Sequence, residues 1–487
     1  MDFDVLIVGA GVSGCAIARE LARYRVRVAI LERGASLASG ATRANSAIVH
    51  AGYDCVPGTL MARLNVLGNR MMGPLCEALS VPFRQTGSLV LAFDRKQEEH
   101  LLRLREQGEQ SGVPGLQILD RREALERESA LNPAVTAALW APTAGIVCPY
   151  ELALAFAENA VENGATLRTG WEVASIEPIE GGLCAVSATG KRVTARYLVN
   201  AAGVHADAVS AMAGGMRYRI LPRRGEYMVL DRSEGSMVRH VIFQTPSALG
   251  KGVLVTPTVH GNLLIGPTAK DIEDGDDTAT TAEGLDTVRS VASVSVPGLR
   301  MGQVIRTFSG VRAVLPERGD FLIGADPEIA GLIHVAGISS PGLTAAPAIA
   351  VETVEVLKEA GLGLEEKTRF VSVRKKRKAF RDMDDAERKA AIAEDPRYGR
   401  IVCRCETVTE AEIIAAIQSP VPARTLDDVK WRTRAGMGRC QSGFCAPHVM
   451  EILAREQRTT MDEITKFGGD SWLVYPRKEG GKTHDEG

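Results

Sequence analysis

Short apolar runs alternate with a helical pattern at the start of the chain. Residues 5–8 are all apolar, glycines follow at positions 9, 11 and 14, and residues 15–24 have the spacing of an amphipathic helix. Residues 26–31 form a second, mostly apolar run. Uninterrupted apolar runs of this length are typical of buried parallel strands. The pattern therefore predicts a strand, a tight turn, a helix and a second strand of an α/β sheet.

The same kind of pattern returns twice later in the chain. Residues 197–203 form an apolar run that ends in small residues, and residues 332–337 form another, ahead of a glycine-rich entry to a helix that reaches Ala360. Between these returns, short apolar runs broken by turn residues predict antiparallel strands. We therefore expect one discontinuous α/β domain interrupted by a β-rich domain. The predicted segments are 1–85, 145–214 and 311–361 for the α/β domain, and 86–144 and 215–310 for the β-rich domain.

Beyond residue 361 the composition changes. Residues 362–397 are rich in charges of alternating sign, which favours a surface linker over a binding tail. Four of the nine cysteines then fall within residues 398–456, which we predict to be a small separate module. Residues 457–487 are predicted to be a C-terminal tail.

Composition excludes several functions. The 58 Lys and Arg residues nearly balance the 60 Asp and Glu residues, so the net charge of -2 gives no indication of nucleic-acid binding. No basic stretch precedes the first apolar run and no apolar run is long enough to span a bilayer, so neither an export signal nor a membrane span is expected. Scattered cysteines without an export signal predict a reduced, cytoplasmic protein, which partner subunits could still hold at a membrane surface.

The first turn contains the spacing GxGxxG. Gly9 suits the tight turn, Gly11 lets the backbone approach a pyrophosphate, and Gly14 lets the helix pack on the strand. The helix N-terminus offers N–H groups and a partial positive charge to phosphates. Glu32 closes the second strand, where an acid can accept hydrogen bonds from ribose hydroxyls. Together these features predict an adenine dinucleotide site, although the motif alone does not distinguish FAD from NAD.

The late cysteines follow the pattern CxC, a 34-residue gap and CxxxxC, at positions 403, 405, 440 and 445. Three interpretations compete. Structural zinc accepts four thiolates, but CxC is a poor fit to the usual ligand spacing. A redox disulfide could join Cys440 and Cys445. A [2Fe–2S] cluster also takes four thiolates, and glycines around Cys440 would allow backbone N–H groups to reach sulfur.

Residues 398–456 resemble the bacterioferritin-associated-ferredoxin type of [2Fe–2S] domain. The matching motifs are Cys403-Arg404-Cys405-Glu406 and Gly436-Met437-Gly438-Arg439-Cys440-Gln441 with Cys445. This resemblance implies that Cys403, Cys405, Cys440 and Cys445 hold a cluster. It also implies electron transfer between redox partners.

Residues 1–360 resemble the FAD-dependent glycine/D-amino-acid oxidase superfamily. The motifs are the glycine turn with Glu32, Asn200-Ala201-Ala202-Gly203 with Asp207, and Gly310-Val311-Arg312 leading to residues 320–324. The resemblance implies a Rossmann-like FAD-binding domain, a β-rich substrate domain and FAD rather than NAD. The residues it implies for cofactor binding are Gly9, Gly11, Gly14, Glu32, Arg33, Thr42, Asn45, Ser46, Ala202, Gly203, Gly310, Gly337, Gly342, Leu343 and Thr344.

Within that superfamily, residues 45–52 and 264–269 look most like glycerol-3-phosphate dehydrogenases and L-2-hydroxyglutarate dehydrogenases. A flavin domain followed by a cluster module resembles the large catalytic subunit of anaerobic glycerol-3-phosphate dehydrogenases, although this chain is somewhat short for that subunit. The resemblance implies oxidation of a small anionic hydroxy substrate, glycerol 3-phosphate, to dihydroxyacetone phosphate. Electrons would pass from FAD through the cluster to a redox partner protein or a quinone-linked subunit.

Oxidising an alcohol also requires a base for the hydroxyl proton, and histidine is the usual choice near neutral pH. His50 follows the loop that the family places beside the flavin, whereas His334 lies within an apolar strand and is more typical of a core histidine. An anionic substrate needs a cation, ideally an arginine fork. Arg312 matches the family's arginine for the substrate anion, and Arg224 and Lys270 are weaker candidates.

The sequence is also compatible with other functions. The same machinery could oxidise L-2-hydroxyglutarate, another 2-hydroxy acid or an amino acid. A non-catalytic electron-transfer subunit is a further alternative, but the predicted base, arginine and flavin site argue against it. A pyridine-nucleotide reductase is disfavoured because no second GxGxxG follows a strand.

Overall fold

The computed structural model describes residues 1–245 and 252–475, so residues 476–487 of the predicted tail lie outside the described part. The chain divides into two compact units, Met1–Lys376 and the residues from Arg377 onwards. Each unit has its own hydrophobic core.

The helices and strands are as follows. The helices of the first unit are α1 (Val12–Leu21), α2 (Leu60–Ala78), α3 (Arg95–Gln110), α4 (Arg121–Arg127), α5 (Pro149–Glu162), α6 (Ala206–Met212), α7 (Ala282–Ser295) and α8 (Gly342–Glu359). Its strands are β1 (Phe3–Val8), β2 (Val28–Leu31), β3 (Ile48–Val49), β4 (Phe83–Arg84), β5 (Ser88–Ala92), β6 (Gln117–Asp120), β7 (Ala137–Ala141), β8 (Gly145–Val147), β9 (Thr166–Arg168), β10 (Val173–Ile179), β11 (Gly182–Ser187), β12 (Arg192–Asn200), β13 (Leu221–Leu230), β14 (Val241–Gln244), β15 (Leu254–Pro257), β16 (Leu263–Gly266), β17 (Lys270–Asp271), β18 (Val304–Val314), β19 (Leu322–Ala325) and β20 (Leu332–Ala336). The second unit contains α9 (Asp385–Glu394), β21 (Ile401–Cys403), β22 (Val408–Thr409), α10 (Glu410–Ile417), α11 (Leu426–Thr433) and α12 (Ala446–Gln457).

The first sheet is parallel at its centre. Strands β9, β2, β1, β12 and β20 lie side by side in that order, and antiparallel strands β10, β11 and β19 extend it. Residues 5–8 of β1 are buried. Helix α1 packs against α5 and α8, whereas Leu6 and Val8 belong to an apolar cluster with residues of β10, β11 and α6. Strands that are buried on both faces need apolar residues at every position, which explains the near-continuous apolar runs in these strands.

The second sheet is mostly antiparallel and runs in the order β17-β13-β16-β15-β14-β5-β7-β6, with β18 on the other side of β13. One pairing, β14 with β5, is parallel. The long pair β13 and β18 brings Arg223 opposite Arg312 and Tyr227 opposite Phe308. A small third sheet, β3-β8-β4, carries the segment that leads to His50.

The second unit is a small helical module. Helices α10, α11 and α12 pack around buried Ile413, Val429 and Leu453. The predicted linker, 362–397, is divided: residues up to 376 belong to the first unit, whereas α9 packs in the second. This helix was not predicted from the sequence. Its charges alternate in sign and its apolar face is narrow, with Ala391 as its buried residue.

The architecture confirms the predicted fold class, an α/β dinucleotide-binding fold with a β-rich domain and a small C-terminal module. Among the described residues, no helix is both long enough and apolar enough to cross a membrane.

Candidate functional site

Three glycines shape the turn between β1 and α1. Gly9 has φ +107°, and a Cβ there would lie 2.5 Å from the carbonyl oxygen of Ala201. A Cβ on Gly14 would lie 2.0 Å from the carbonyl oxygen of Gly9, so helix and turn touch at this point. A Cβ on Gly11 would meet only the Thr42 hydroxyl, at 3.4 Å. Gly9 and Gly14 are therefore required by packing, whereas Gly11 leaves open space in front of the helix.

The N-terminus of α1 suits an anion. Its first turn carries no acidic side chain, and the N–H of Val12 donates to the Thr42 hydroxyl at 3.0 Å. Glu32, at the end of β2, is 8% exposed and accepts hydrogen bonds from the N–H groups of Ala10 and Gly34. The partial positive charge of the helix and the open space at Gly11 fit a pyrophosphate, and the Glu32 carboxylate lies beside that turn.

The loop after residue 40 contacts the substrate-domain strands. The Asn45 amide donates to the carbonyl oxygens of Ala41 and Thr42, which fixes the loop. Ser46 shares a hydrogen bond of 3.3 Å with the Tyr227 hydroxyl on β13. A Cβ on Gly310 would lie 1.9 Å from the Ala44 carbonyl oxygen, so only glycine allows β18 to approach this closely.

A second helix N-terminus lies beside His50. Helix α8 begins at Gly342 with no acid in its first turn, and the N–H groups of Leu343 and Thr344 lie outside the helix's own ladder. The Thr344 hydroxyl accepts from the backbone N–H of His50 at 2.9 Å. His50 Nε2 lies 3.5 Å from the Ser340 hydroxyl. The structure thus joins His50 directly to the first turn of α8.

The arginines of β13 and β18 differ in their partners. Arg223 pairs with Asp271 at 2.5 Å, and Arg224 is buried between Asp277 and Glu226. Arg312 donates from Nη2 to the Thr268 carbonyl oxygen at 2.8 Å, and its buried Nε has no partner within residues 1–245 and 252–475. Burial lowers the pKa of Arg312, as expected for a cation that lacks a carboxylate partner.

An aromatic side chain, Tyr227, lies near Arg312. The Tyr227 ring stacks on Phe308 with centroids 4.7 Å apart, and Tyr227 also interacts electrostatically with Arg312. Burial raises the pKa of Tyr227, so its hydroxyl is a hydrogen-bond donor at neutral pH. The sequence reasoning missed Tyr227, because its place beside Arg312 depends on the register of two strands about 80 residues apart in the chain.

Among the contacts that the structure describes, none joins the remaining predicted residues to Arg312 or Tyr227. Arg33 pairs with Asp276, which also accepts from His205, close to Gly203 and Ala202. Gly337 follows β20 with φ +68°. Lys270 is exposed and lies 3.7 Å from Glu283. Arg224 and Lys270 therefore already have carboxylate partners, unlike Arg312.

His334 is fully buried in β20. Its Nε2 lies 2.9 Å from Asp326, and its Nδ1 lies 3.2 Å from the Tyr218 hydroxyl. Burial lowers the pKa of His334, although Asp326 opposes that shift. Both ring nitrogens have partners, which matches the expectation of a core histidine.

The four late cysteines converge in the second unit. The Sγ atoms of Cys405 and Cys440 are 3.6 Å apart, and Cys403 and Cys445 are hydrogen-bonded to each other. The hydrogen bond from Cys445, together with backbone N–H groups of Gly436 and Glu406, lowers the pKa of Cys403 to about 6. Converging thiols with amide donors aimed at sulfur fit an iron–sulfur cluster.

The surrounding loop holds those thiols in place. A Cβ on Gly438 would lie 2.3 Å from the Cys405 Cβ, so glycine is required there. Glu406 is 2% exposed and receives hydrogen bonds from Arg381 and Arg434, at 2.9 and 2.7 Å. A buried acid held by two arginines fixes the segment that carries Cys403 and Cys405.

Comparison with known proteins agrees with this geometry. The family described as FAD dependent oxidoreductase matches residues 4–356, which is most of the chain. The chain belongs to the FAD-dependent oxidoreductase family. In addition, residues 401–455 of this oxidoreductase match the BFD-like [2Fe-2S] binding domain. The predicted cofactors, FAD and a [2Fe–2S] cluster, are confirmed.

Three relatives show how far the likeness of this oxidoreductase extends. It is 48% identical over 472 residues to a glycerol 3-phosphate dehydrogenase of Caloramator mitchellensis, which covers 97% of this chain and 98% of the other. It is 30% identical over 283 residues to human mitochondrial L-2-hydroxyglutarate dehydrogenase, with 55% of this chain and 61% of the other covered. The FAD-bound structure of dithionite-reduced L-α-glycerophosphate oxidase from Mycoplasma pneumoniae superposes with a TM-score of 0.74 at 30% identity, covering 77% of this chain and 99% of that one.

The glycine turn gives a testable distinction between packing and cofactor binding. We expect Gly14→Ala to lower the free energy of unfolding of the apoprotein by about 1–3 kcal/mol, because the new Cβ overlaps the Gly9 carbonyl oxygen. Gly11→Ala should leave that stability nearly unchanged, yet weaken FAD binding at least about tenfold, because its methyl group projects into the space for the pyrophosphate. Thermal melts of apoprotein and FAD titrations followed by flavin fluorescence measure both quantities. Equal FAD affinity in Gly11→Ala and the unaltered protein would remove Gly11 from the binding site.

Proposed function

We propose that this oxidoreductase oxidises glycerol 3-phosphate to dihydroxyacetone phosphate and delivers the electrons to an external acceptor. Oxidation of the secondary alcohol removes a hydride from carbon and a proton from oxygen. FAD, when bound, supplies the hydride acceptor, and the [2Fe–2S] cluster supplies a one-electron outlet. The near full-length likeness to a glycerol 3-phosphate dehydrogenase supports the choice of substrate.

A single observation carries the proposal: Arg312 is half-buried, its Nε is buried without a hydrogen-bond partner, and no salt bridge joins it to a carboxylate among the described residues. A buried cation without a carboxylate is costly unless an anion binds it, and an arginine fork can hold two oxygens of a phosphate. Tyr227, next to it, can donate a further hydrogen bond to the same anion. In this account, Arg312 and Tyr227 bind and orient the phosphate end of the substrate.

His50 is the residue proposed to take the hydroxyl proton. Its backbone is fixed by Thr344 and by Asn69, whose amide donates to the His50 carbonyl oxygen at 3.0 Å. The ring therefore projects from a constrained backbone, and its Nε2 lies 3.5 Å from the Ser340 hydroxyl. The N-terminus of α8, beside His50, favours negative charge that develops nearby during oxidation.

Replacement of His50 tests the assignment of the base. We expect His50→Gln to slow flavin reduction by glycerol 3-phosphate about 10²- to 10⁴-fold, because glutamine can keep the hydrogen bond to Ser340 but cannot accept a proton. The substrate concentration for half-maximal rate should change little, since Arg312 is intact. Anaerobic stopped-flow absorbance measures both quantities, with Ser340→Ala as the control for the lost hydrogen bond. A His50→Gln protein that reduces its flavin at the normal rate would assign the base elsewhere.

The choice among substrates can be tested directly. L-2-hydroxyglutarate also carries an anion that Arg312 could bind, and the human relative is named for that substrate. Steady-state assays with an artificial dye should show reduction with glycerol 3-phosphate and a much lower kcat/KM with L-2-hydroxyglutarate or glycine. No dye reduction with glycerol 3-phosphate would contradict the proposal.

The iron–sulfur module supports transfer of electrons to an acceptor. That the acceptor is a redox partner protein or a quinone-linked subunit, and that the protein is cytoplasmic, are proposals drawn from the sequence.

A further inference from the structure

Cys148, Glu151 and His260 form a cluster of three groups that can bind a metal ion. One ligand-type atom from each, the Cys148 Sγ, a Glu151 carboxylate oxygen and a His260 ring nitrogen, lies within 4.8 Å of the other two. His260 Nε2 is 3.0 Å from Glu151 Oε1. The Glu151 side chain is 5% exposed and that of His260 is 11% exposed. Three different donor groups therefore meet in a largely buried position.

Local structure explains why they converge. Cys148 is the N-cap of α5 and Glu151 is in its first turn, and a spacing of three residues places both on the same face of the helix. His260 comes from the turn between β15 and β16, more than 100 residues later in the chain. The cluster thus joins a helix that packs on the parallel sheet to a turn of the antiparallel sheet.

The donor set is characteristic of a transition-metal site. Thiolate, imidazole and carboxylate are the ligands of zinc, at about 2.0–2.3 Å from the ion, so ligand atoms around a tetrahedral ion are about 3.3–3.8 Å apart. Atoms already within 4.8 Å need only small side-chain rotations to reach that geometry. In the hydrogen bond between His260 Nε2 and Glu151 Oε1, a metal ion would take the place of the shared hydrogen.

Among the described residues, Lys376 also contacts the cluster. Its Nζ lies 2.5 Å from Glu151 Oε2, the oxygen that His260 does not contact. Burial raises the pKa of Glu151, but Lys376 and His260 outweigh burial and hold that pKa well below its usual range. The carboxylate is therefore ionised at neutral pH, as a metal ligand must be, and Lys376 is a cation that a metal ion would have to compete with.

We propose that Cys148, Glu151 and His260 are three ligands of one divalent transition-metal ion of the zinc class. Binding displaces the Cys148 thiol proton to solvent, and the hydrogen between His260 Nε2 and Glu151 Oε1 is lost to solvent or moves to Nδ1 of the ring. We assign the ion a structural role, because it would join the start of α5 to the turn between β15 and β16.

Cobalt provides a spectroscopic probe. The full-length protein, loaded with FAD and cluster, is freed of loosely bound metal and titrated anaerobically with Co²⁺ and then with Zn²⁺. We expect one equivalent of Co²⁺ to give tetrahedral ligand-field bands and a charge-transfer band of a single thiolate, and one equivalent of Zn²⁺ to abolish both. Loading the cluster beforehand keeps its four cysteines from competing.

Variants locate the ion. Cys148→Ser and His260→Gln should each weaken Co²⁺ binding at least about 100-fold, whereas Cys76→Ala, a buried cysteine on α2, should not. Lys376→Gln should tighten binding about tenfold, because a neighbouring positive charge is removed. Circular dichroism of the metal-free variants checks their folding.

Two results would overturn the proposal. One is a Co²⁺ spectrum with several thiolate ligands, which would place the ion at the cluster cysteines. The other is equal Co²⁺ affinity in Cys148→Ser and the unaltered protein.

Discussion

A Cys440→Ser protein should lose its iron–sulfur absorbance and still allow glycerol 3-phosphate to reduce the flavin. Cys440 is half-buried, and its Sγ lies 3.6 Å from that of Cys405, so the substitution removes a ligand without opening a cavity in the module's core. Cys403 and Cys445 are buried in that core and are less suitable targets. Iron and sulfide analysis, visible absorbance and anaerobic flavin reduction measure the outcome.

The matched control is Cys148→Ser, which changes another half-buried cysteine outside the module and should keep full iron and sulfide content. Gly438→Ala is an independent way to disrupt the cluster, because its Cβ would displace Cys405 while all four thiols remain. Loss of flavin reduction together with the cluster in Cys440→Ser would contradict the order in which electrons leave the substrate. Full cluster content in that variant would remove Cys440 from the ligand set.

The second large effect is expected at Arg312. Arg312→Lys should raise KM for glycerol 3-phosphate about 10- to 100-fold, or about 1.4–2.8 kcal/mol, because lysine keeps the charge but cannot offer two parallel N–H groups. The maximal rate should fall much less, since phosphate binding is shared by the ground and transition states. Steady-state kinetics with a dye acceptor separate the two parameters.

Arg223→Lys is the matched control for Arg312. Arg223 is the cross-strand neighbour of Arg312, but it is paired with Asp271, and lysine can keep that surface ion pair. Its KM should stay within about twofold of normal, as expected for an exposed pair. If both variants raise KM equally, the effect belongs to the charge of the strand pair, and an unchanged KM in Arg312→Lys would remove Arg312 from the substrate site.

Features encoded over short stretches of chain could be predicted from the sequence. The glycine turn, Glu32 and the flanking strands lie within about 30 residues, and the structure forms them as the pattern indicates. The fold class and both cofactors are confirmed for the same reason, since each depends on a compact motif. The site residues and the domain boundaries remain predictions.

Features that depend on distant pairings could not be predicted. The parallel pairing of β14 with β5 joins segments about 150 residues apart, and the contact between Tyr227 and Arg312 depends on the β13–β18 register. The meeting of Cys148 with His260 is of the same kind. Arg224 illustrates the converse, because the sequence makes it a weaker candidate for binding the substrate anion, whereas in the structure it pairs with Asp277 and Glu226.

The most direct test of the account is anaerobic addition of one equivalent of glycerol 3-phosphate to the protein with FAD and cluster bound. The two electrons divide between a flavin that can hold two and a cluster that can hold one. We therefore predict partial loss of flavin absorbance, appearance of the electron-paramagnetic-resonance signal of a reduced [2Fe–2S] cluster, and one equivalent of dihydroxyacetone phosphate. A flavin and cluster that both remain oxidised, while L-2-hydroxyglutarate reduces them under the same conditions, would contradict it.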